Sequence, residues 1–424
     1  MDNFRISRLE VNNIGPFGHM VVDFPEKPAD MDHCAEIHIL TGENGTGKTT
    51  VLEMLTSGII PFINNPWRRI RSNHDKSCDF KVDFYANGTR KSWIDENRNQ
   101  KHGRNPSYLE EHFTNSFNGG PFGIGFFAYS GYRRIEQTRI KGISELENQP
   151  FSDSLNFQTS INPQLILQWV ANTITKEALA KNQNDHALAL KFRSTISNLE
   201  KVISEIIEKP VRFRLEYEPL NVIIEVAGET LDFNLLPDGL KSIVSWIADL
   251  LMRMDRVKWE NDTPVFERNF ILFLDEIEVH LHPAWQRKVL PAVQKLFPNA
   301  QIFISTHSPF VVGSVDGAWI HKFVKPNGDS QLAGPPVLSE DAKSYRYWLE
   351  EVFDIKTEFG EAIKQQLDKF YALRNSLLVN GTAQEREEFI RIAAGLSSQS
   401  REMESIISLE LRQLNKRIKE PLEI

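Results

Sequence analysis

Cysteine is almost absent: the 424 residues carry two, Cys34 and Cys78. Their separation matches no metal-ligand spacing and no disulfide framework, which excludes a stapled extracellular scaffold and fits a cytoplasmic protein with two inert thiols. Long apolar runs are also missing. Nothing approaches the roughly 18 consecutive apolar residues of a membrane-crossing helix, so no membrane role is expected. The opening Met1-Asp2-Asn3-Phe4-Arg5 lacks the basic-then-apolar pattern of a secretory leader. Positive charge is in deficit, with 49 Lys and Arg against 57 Asp and Glu and a formal net charge of −8. That balance argues against a basic coat for nucleic acid over the whole surface. Two local strips remain, Trp67-Arg68-Arg69-Ile70-Arg71 and Tyr132-Arg133-Arg134 with Arg139 and Lys141. A solvated surface, contacts to nucleotide phosphates and contacts to DNA all fit them.

What is present is a globular balance, 41% hydrophobic and 25% charged, on a chain long enough for two or three domains or one large unit with insertions. Arg5–Val11 alternates loosely as a strand, Asn12–Gly18 supplies turn residues, and Met20–Phe24 reads as a second strand. Glu36–Leu40 is a short apolar run, and Phe80–Tyr85 alternates again. Residues 95–120 are polar and rich in Asn, Gly and His, so a surface loop is expected there. Between Pro163 and Ile207 the apolar spacing is helical. Val211–Val226 returns to strands, Leu240–Met254 forms a long amphipathic helix, and Phe270–Leu274 and Gln301–Ser305 suit buried parallel strands. From about residue 340 the pattern is helical again, in the runs Phe359–Val379 and Gln384–Leu414.

Gly42-Glu43-Asn44-Gly45-Thr46-Gly47-Lys48-Thr49, followed by Thr50, fits G-x-x-x-x-G-K-[ST] completely. Glycines let successive N–H groups curl round phosphates, and the helix that follows points its positive end at them. In such a loop Lys48 reaches the β- and γ-phosphates and the Thr49 hydroxyl ligates Mg²⁺. The motif lies between an expected strand and an expected helix, the context it requires. Phe270–Leu274 then ends in Asp275-Glu276. Carboxylates at the carboxyl tip of a central strand stand where α/β sheets place ligands. Asp275 is expected to hold the metal, and Glu276 to polarise the attacking water. Beyond the next apolar strand, His307 in Ser305-Thr306-His307-Ser308-Pro309 is placed to sense a γ-phosphate. Leu236-Pro237-Asp238-Gly239-Leu240-Lys241-Ser242 is a tight turn at a helix start, a second anion site. A chain with one phosphate loop for its own nucleotide has most use for such a site on the ATP of a partner molecule.

These elements, in this order, resemble an ABC-type ATPase of the RecF/SMC class, in which two heads sandwich two ATPs. The resemblance implies an α/β ABC-type head: a mixed sheet with a P-loop core, an antiparallel β subdomain, a short helical insertion and a helical C-terminal tail. It makes Gly42–Thr50 the Walker A loop, Leu236–Ser242 the signature with Asp238, Gly239, Lys241 and Ser242 as its contacts, Leu272–Glu276 Walker B, Glu278–His282 the D-loop region and His307 the switch histidine. Domains follow as an N-terminal lobe at 1–160, the insertion at 161–210, a second lobe at 211–335 and a helical region at 336–424. The chain departs from the pattern at Pro237, where such signatures usually carry Ser, so a hydroxyl toward the partner's γ-phosphate is lost and slow hydrolysis is expected. The Q-loop glutamine is not identifiable either. Tyr129, Arg133 and Gln137 stand nearest its place.

The run Leu274–Arg287, with its Glu278-Val279-His280-Leu281-His282-Pro283, and then Leu296-Phe297-Pro298-Asn299, is similar to compact bacterial ATPases of the OLD/RecF-like group, among them the PtuA subunits of Septu anti-phage systems and retron-associated ATPases. That likeness implies ATP and Mg²⁺ as cofactors, a self-dimer, and a separate HNH-type nuclease as partner, with a retron reverse transcriptase and its RNA–DNA as a further one. A RecF-like DNA-binding repair ATPase is the alternative. A nuclease site within the chain is not expected. Residues 325–424 show no Asp-x-Asp strand-tip pair, and no histidine follows His321.

Overall fold

The computed structural model describes residues 4–57, 59, 78–98, 101–104, 121–131, 139–140, 142–147, 149–159, 161–340, 343–355, 359–379, 381–418 and 421–422. The strip Trp67–Arg71, the basic residues Arg133, Arg134 and Lys141, and the Q-loop candidates Arg133 and Gln137 lie outside these residues. The chain divides into two compact units, Met1–Phe353 and Asp354–Ile424.

Unit 1 opens with β1 (Arg5–Ile14) and β2 (Phe17–Asp23), an antiparallel hairpin. The loose alternation of β1 has a cause. Its register against β4 (Cys78–Ala86) shifts between Ile6 and Arg8, so the buried residues run Ile6, Leu9, Val11 instead of every second position. Between these two strands in sequence come β3 (Glu36–Gly42) and helix α1 (Lys48–Ser57). After β4 the antiparallel sheet continues into β5 (Thr89–Arg98) and β6 (Lys101–Arg104), in the order β2-β1-β4-β5-β6. The surface loop expected over 95–120 is therefore corrected in its first part. Asp95 pairs with Arg104 and Asn97 with His102 across a ladder of backbone bonds, which a polar composition does not prevent.

The second sheet carries the site. It contains β3, β7 (Gly125–Ser130), β11 (Phe270–Asp275), β12 (Ala300–Ser305) and β13 (Trp319–Val324), all parallel to their neighbours in the order β13-β3-β12-β11-β7. Two short strands, β14 (Gln331–Leu332) and β15 (Val337–Leu338), pair antiparallel with β13. Every residue of β7, β11 and β12 is buried, the signature of parallel strands covered on both faces. Register sets the strand tips level: Asp275 stands opposite Ser305 on one side and Ser130 on the other, and Ser305 opposite Leu40.

The helical insertion is a hairpin of α2 (Pro163–Asn182), capped by the Asn162 side chain, and α3 (His186–Ile207), capped by Asp185. A third sheet follows, β8 (Val211–Tyr217), β9 (Leu220–Val226) and β10 (Glu229–Asp232) in the order β10-β9-β8. Then comes α4 (Asp238–Arg256), whose core face includes Ile243, Trp246, Ile247 and Leu250. Helices α5 (Pro283–Leu296), α6 (Pro309–Val312) and α7 (Tyr345–Glu351) complete the unit. Cys34 and Cys78 are both buried and free.

Unit 2 holds α8 (Glu361–Val379), α9 (Ala383–Ser397) and α10 (Arg401–Asn415) around a core of its own, led by Phe370, Phe389, Leu396 and Ile407. The continuous run at Gln384–Leu414 is two helices. Ser400 ends it as one element: its side chain caps α10 by accepting from the Met403 N–H, in an extended backbone that no helix interior can hold. No helix among the described residues is long and apolar enough to cross a membrane.

Candidate functional site

The loop between β3 and α1 needs glycine at two points. Gly42 has φ +141°, and a Cβ there would sit 2.2 Å from the Phe323 carbonyl oxygen of β13. Gly47 has φ +96°, and its Cβ would meet the Phe17 ring at 2.4 Å and Pro16 at 2.6 Å. The loop is thus pressed between the edge of the parallel sheet and the β1–β2 turn. Lys48 opens α1 with its side chain folded back into the loop, where Nζ donates to the carbonyls of Gly42 (2.9 Å) and Glu43 (3.0 Å). Burial lowers the Lys48 ammonium to about 8, against the opposing pull of the Glu276, Asp275 and Glu278 carboxylates. Proton loss is easy for an ammonium held this way only while no anion faces it.

Thr49 turns the other way. Its hydroxyl donates to both carboxylate oxygens of Asp275, at 2.9 and 3.1 Å. Asp275 is buried at the tip of β11, and the Ser305 hydroxyl at the tip of β12 donates to it as well. Ser305 also accepts from the Glu276 N–H, through Oγ at 2.9 Å and through its carbonyl at 3.1 Å. Glu276 follows with φ +50°, a left-handed conformation that a non-glycine residue holds only where its surroundings impose it. Here the two bonds to Ser305 impose it.

A cleft of about 180 Å³ opens over these tips. Asn44, Gly45, Gly47, Lys48, Thr49 and Thr50 form one side, Glu276 and His307 the other, and Pro16 closes an edge. Gly42 is outside this lining. Six residues of the expected Walker A loop therefore share one cavity with both expected catalytic groups. His307 is half-buried. Desolvation first, and then the Lys48 charge, hold its imidazole below the ordinary histidine range, so the neutral ring is favoured.

The signature residues stand apart. Asp238, Gly239, Lys241 and Ser242 open α4, and none lines the cleft. Pro237 is the N-cap, and α4 has no side-chain cap bond. Asp238 is exposed and Lys241 half-buried, its Nζ donating to the Asn234 carbonyl at 2.9 Å. Gly239 and Ser242 are buried; a Cβ on Gly239 would lie 2.7 Å from the His280 carbonyl and 3.0 Å from the Trp285 ring. Tyr129, a Q-loop candidate, is corrected. Its ring is buried and its hydroxyl donates to Asp249 on α4 at 2.9 Å, so the side chain is engaged by that helix and does not line the cleft.

Three contributors were not singled out from sequence. Pro16 looked like turn punctuation only, Ser305 like the last residue of an apolar strand, and Glu278 like one carboxylate of the D-loop region. A hydroxyl ending a buried strand beside a strand-tip carboxylate was the signal for Ser305.

The donor set suits Mg²⁺. One threonine hydroxyl and one carboxylate meet within hydrogen-bond distance, and Mg²⁺ commonly takes one or two protein oxygens and completes its shell with phosphates and water. Among the described residues no group of three or more His, Cys, Asp or Glu offers an all-protein metal cage.

Two family models match. One, described as "AAA domain", covers residues 8–210, and the other, described as "AAA domain, putative AbiEii toxin, Type IV TA system", covers residues 173–313. Among curated relatives, the Septu protein PtuA of Bacillus thuringiensis is 23% identical over 72% of this chain and 72% of its own length. A protein of Escherichia coli named as the ATPase of retron Ec83 is 27% identical over 45% of this chain. The strand-tip carboxylate bonded to the threonine of the glycine-rich loop agrees with these matches. The chain resembles ABC-type ATPases of the SMC/RecF class. The match spans 39% of the retron Ec83 protein's length. A solved SMC head bound to the C-winged helix domain of ScpA has a TM-score of 0.49 to this chain, at 13% identity over 80% of this chain and 98% of the other.

Proposed function

We propose that this chain binds ATP with Mg²⁺ in the cleft above β3, β11 and β12, dimerises with a second copy around the nucleotide, and regulates a separate HNH-type nuclease in bacterial anti-phage defence. The contact of Thr49 with Asp275 carries the nucleotide half of this reading. It joins the phosphate loop to the tip of β11 at the point where a metal-bound phosphate would enter. Mg²⁺ supplies charge neutralisation for the β- and γ-phosphates when bound. Lys48 then exchanges its loop carbonyls for phosphate oxygens, and the loop N–H groups cradle the rest. Glu276, exposed to the cleft at a strained strand tip, orients the attacking water, and His307 reports whether the γ-phosphate is there.

Dimerisation is supported by the position of the signature. Asp238, Gly239, Lys241 and Ser242 are at a helix start outside the chain's own cleft, so a second copy is the simplest source of an ATP for them. The defence role is supported by the relatives, whose names place them in Septu and retron systems. A nuclease, or a reverse transcriptase with its RNA–DNA, is then the partner class, acting in the cytoplasm.

The test is Glu276→Gln in the full chain with Mg²⁺ and ATP. Turnover is expected to fall by roughly 10²–10⁴-fold while nucleotide binding persists, and light scattering should show the dimer mass accumulating. A variant that stays monomeric at saturating ATP would end the sandwich reading. Co-expressed with a neighbouring HNH protein, the same variant should change DNA cleavage, and cleavage indifferent to nucleotide state would remove the regulatory half.

A further inference from the structure

Glu278 lies three residues past Asp275, in a tight turn that the catalytic reading leaves unused. The turn is built on two left-handed residues, Glu276 (φ +50°) and His280 (φ +66°), and closed by Val279 N–H to the Glu276 carbonyl (3.2 Å) and Leu281 N–H to the Glu278 carbonyl (2.9 Å). Its side chain leaves the turn and crosses to the segment after β12. There Oε1 accepts the backbone N–H of His307 at 2.5 Å.

The neighbouring N–H groups along that segment have local or ladder partners. Thr306 donates to the Leu40 carbonyl (3.1 Å), and Ser308 to the Thr306 hydroxyl (3.0 Å). Only the His307 N–H is held by a carboxylate from another loop. A second clasp lies one residue on, where the Ser308 hydroxyl donates to Gln286 Oε1 at 2.7 Å while Gln286 Nε2 donates to the Leu281 carbonyl at 2.9 Å. The Glu278 turn and the His307 segment are therefore tied twice, with the shorter bond at the histidine itself.

We propose that Glu278 is a positioning residue for His307: by fixing the backbone at residue 307, its carboxylate sets the imidazole over the phosphate end of the cleft, and the Walker B turn and the switch histidine move as one piece. The inference rests on the reading of His307 as the γ-phosphate contact. A side chain's direction follows from the φ and ψ of its own residue, and the N–H is one of the few handles on them. Without the carboxylate, this donor would be left half-buried and unpaired, free to swing the histidine out of register with Glu276.

The experiment uses the full chain with four variants: Glu278→Ala, Glu278→Gln, His307→Ala and the Glu278→Ala/His307→Ala double. ATP turnover is measured with kcat and KM separated, and nucleotide affinity is measured directly with a fluorescent ATP analogue. Glu278→Ala should lower kcat by about tenfold or more, with KM and affinity within about twofold, because Lys48 and the loop amides are untouched. Glu278→Gln should stay within about threefold of the parent, since its amide oxygen accepts the same N–H. The double variant should be no slower than His307→Ala alone. Losses that multiply in the double variant, a glutamine as slow as alanine, or an equal loss of ATP affinity would each overturn the assignment. His307→Ala turning over at the parent rate would sink the reading of the histidine beneath it. A slow His307→Ala beside an unimpaired Glu278→Ala would sink this inference alone.

Discussion

Two histidines lie fully buried between β3 and β13, and their hydrogen bonds assign every proton. Burial alone would raise the Glu36 carboxyl, but the His38 hydrogen bond and the Arg5 guanidinium overcome it and lower the group to about 2. Glu36 is thus an anion at any working pH, and its Oε1 accepts from His38 Nε2 at 2.9 Å. His38 Nδ1 must then accept, from His321 Nε2 at 3.2 Å, which leaves His321 Nδ1 as a buried acceptor with no partner among the described residues. Both rings are neutral. Burial holds both below the ordinary histidine range, helped at His321 by His38. The sign follows directly. In the unfolded chain each imidazole takes up a proton below about pH 6.5, whereas the folded chain does not, so stability is full above that pH and declines as pH falls beneath it. At about 1.4 kcal/mol per pH unit for each proton, a ring that stays neutral throughout costs the fold about 1.4 kcal/mol between pH 7.5 and 5.5, so roughly 2.7 kcal/mol is the ceiling for the pair. His321→Gln keeps an N–H donor toward His38 and removes one titrating ring, so its loss over the same range should be smaller than the parent's, with a ceiling of about 1.4 kcal/mol. Urea unfolding followed by tryptophan fluorescence, repeated at half-unit steps of pH, measures both slopes. His307 titrates equally in parent and variant and cancels from the difference. Identical pH dependence in the two proteins would refute the assignment of neutral rings.

Gly47→Ala should weaken ATP binding by roughly tenfold or more, since the left-handed backbone and the Phe17 and Pro16 rings leave no room for a Cβ; titration with a fluorescent nucleotide checks this. Arg253 is 3% exposed and ion-paired with Asp249 at 2.5 Å inside α4. Arg253→Ala would strand that carboxylate and should cost about 3–5 kcal/mol in denaturant melts, and a loss under about 1 kcal/mol would mean the pair is open to water. Pro237→Ser restores a hydroxyl at the start of α4, and a turnover rate several-fold above the parent is expected if that hydroxyl is limiting. An unchanged rate would retire the idea that Pro237 slows hydrolysis.

The phosphate loop, the strand-tip carboxylates and the histidine were legible because each is local. Glycines at φ values that other residues avoid, a lysine and threonine at a helix start, and acids ending an apolar strand are readable within a few residues. Their confinement to a single cleft was not legible. Leu40, Ser305 and Asp275 come level only through the register of three parallel strands far apart in sequence. The polar ladder of β5 and β6 was missed for the related reason that backbone pairing does not show in composition.

From the sequence by itself came the α/β class and the residues expected to carry nucleotide chemistry, since propensity and motif chemistry act over short spans. Only the tertiary structure decided that Ser305 clamps Asp275 and Glu276, that Glu278 reaches across to the His307 N–H, and that Tyr129 turns to Asp249 and does not line the cleft. Those contacts join residues between 29 and 120 positions apart. They exist because long-range strand packing puts the partners within a hydrogen bond's reach, which no local pattern encodes.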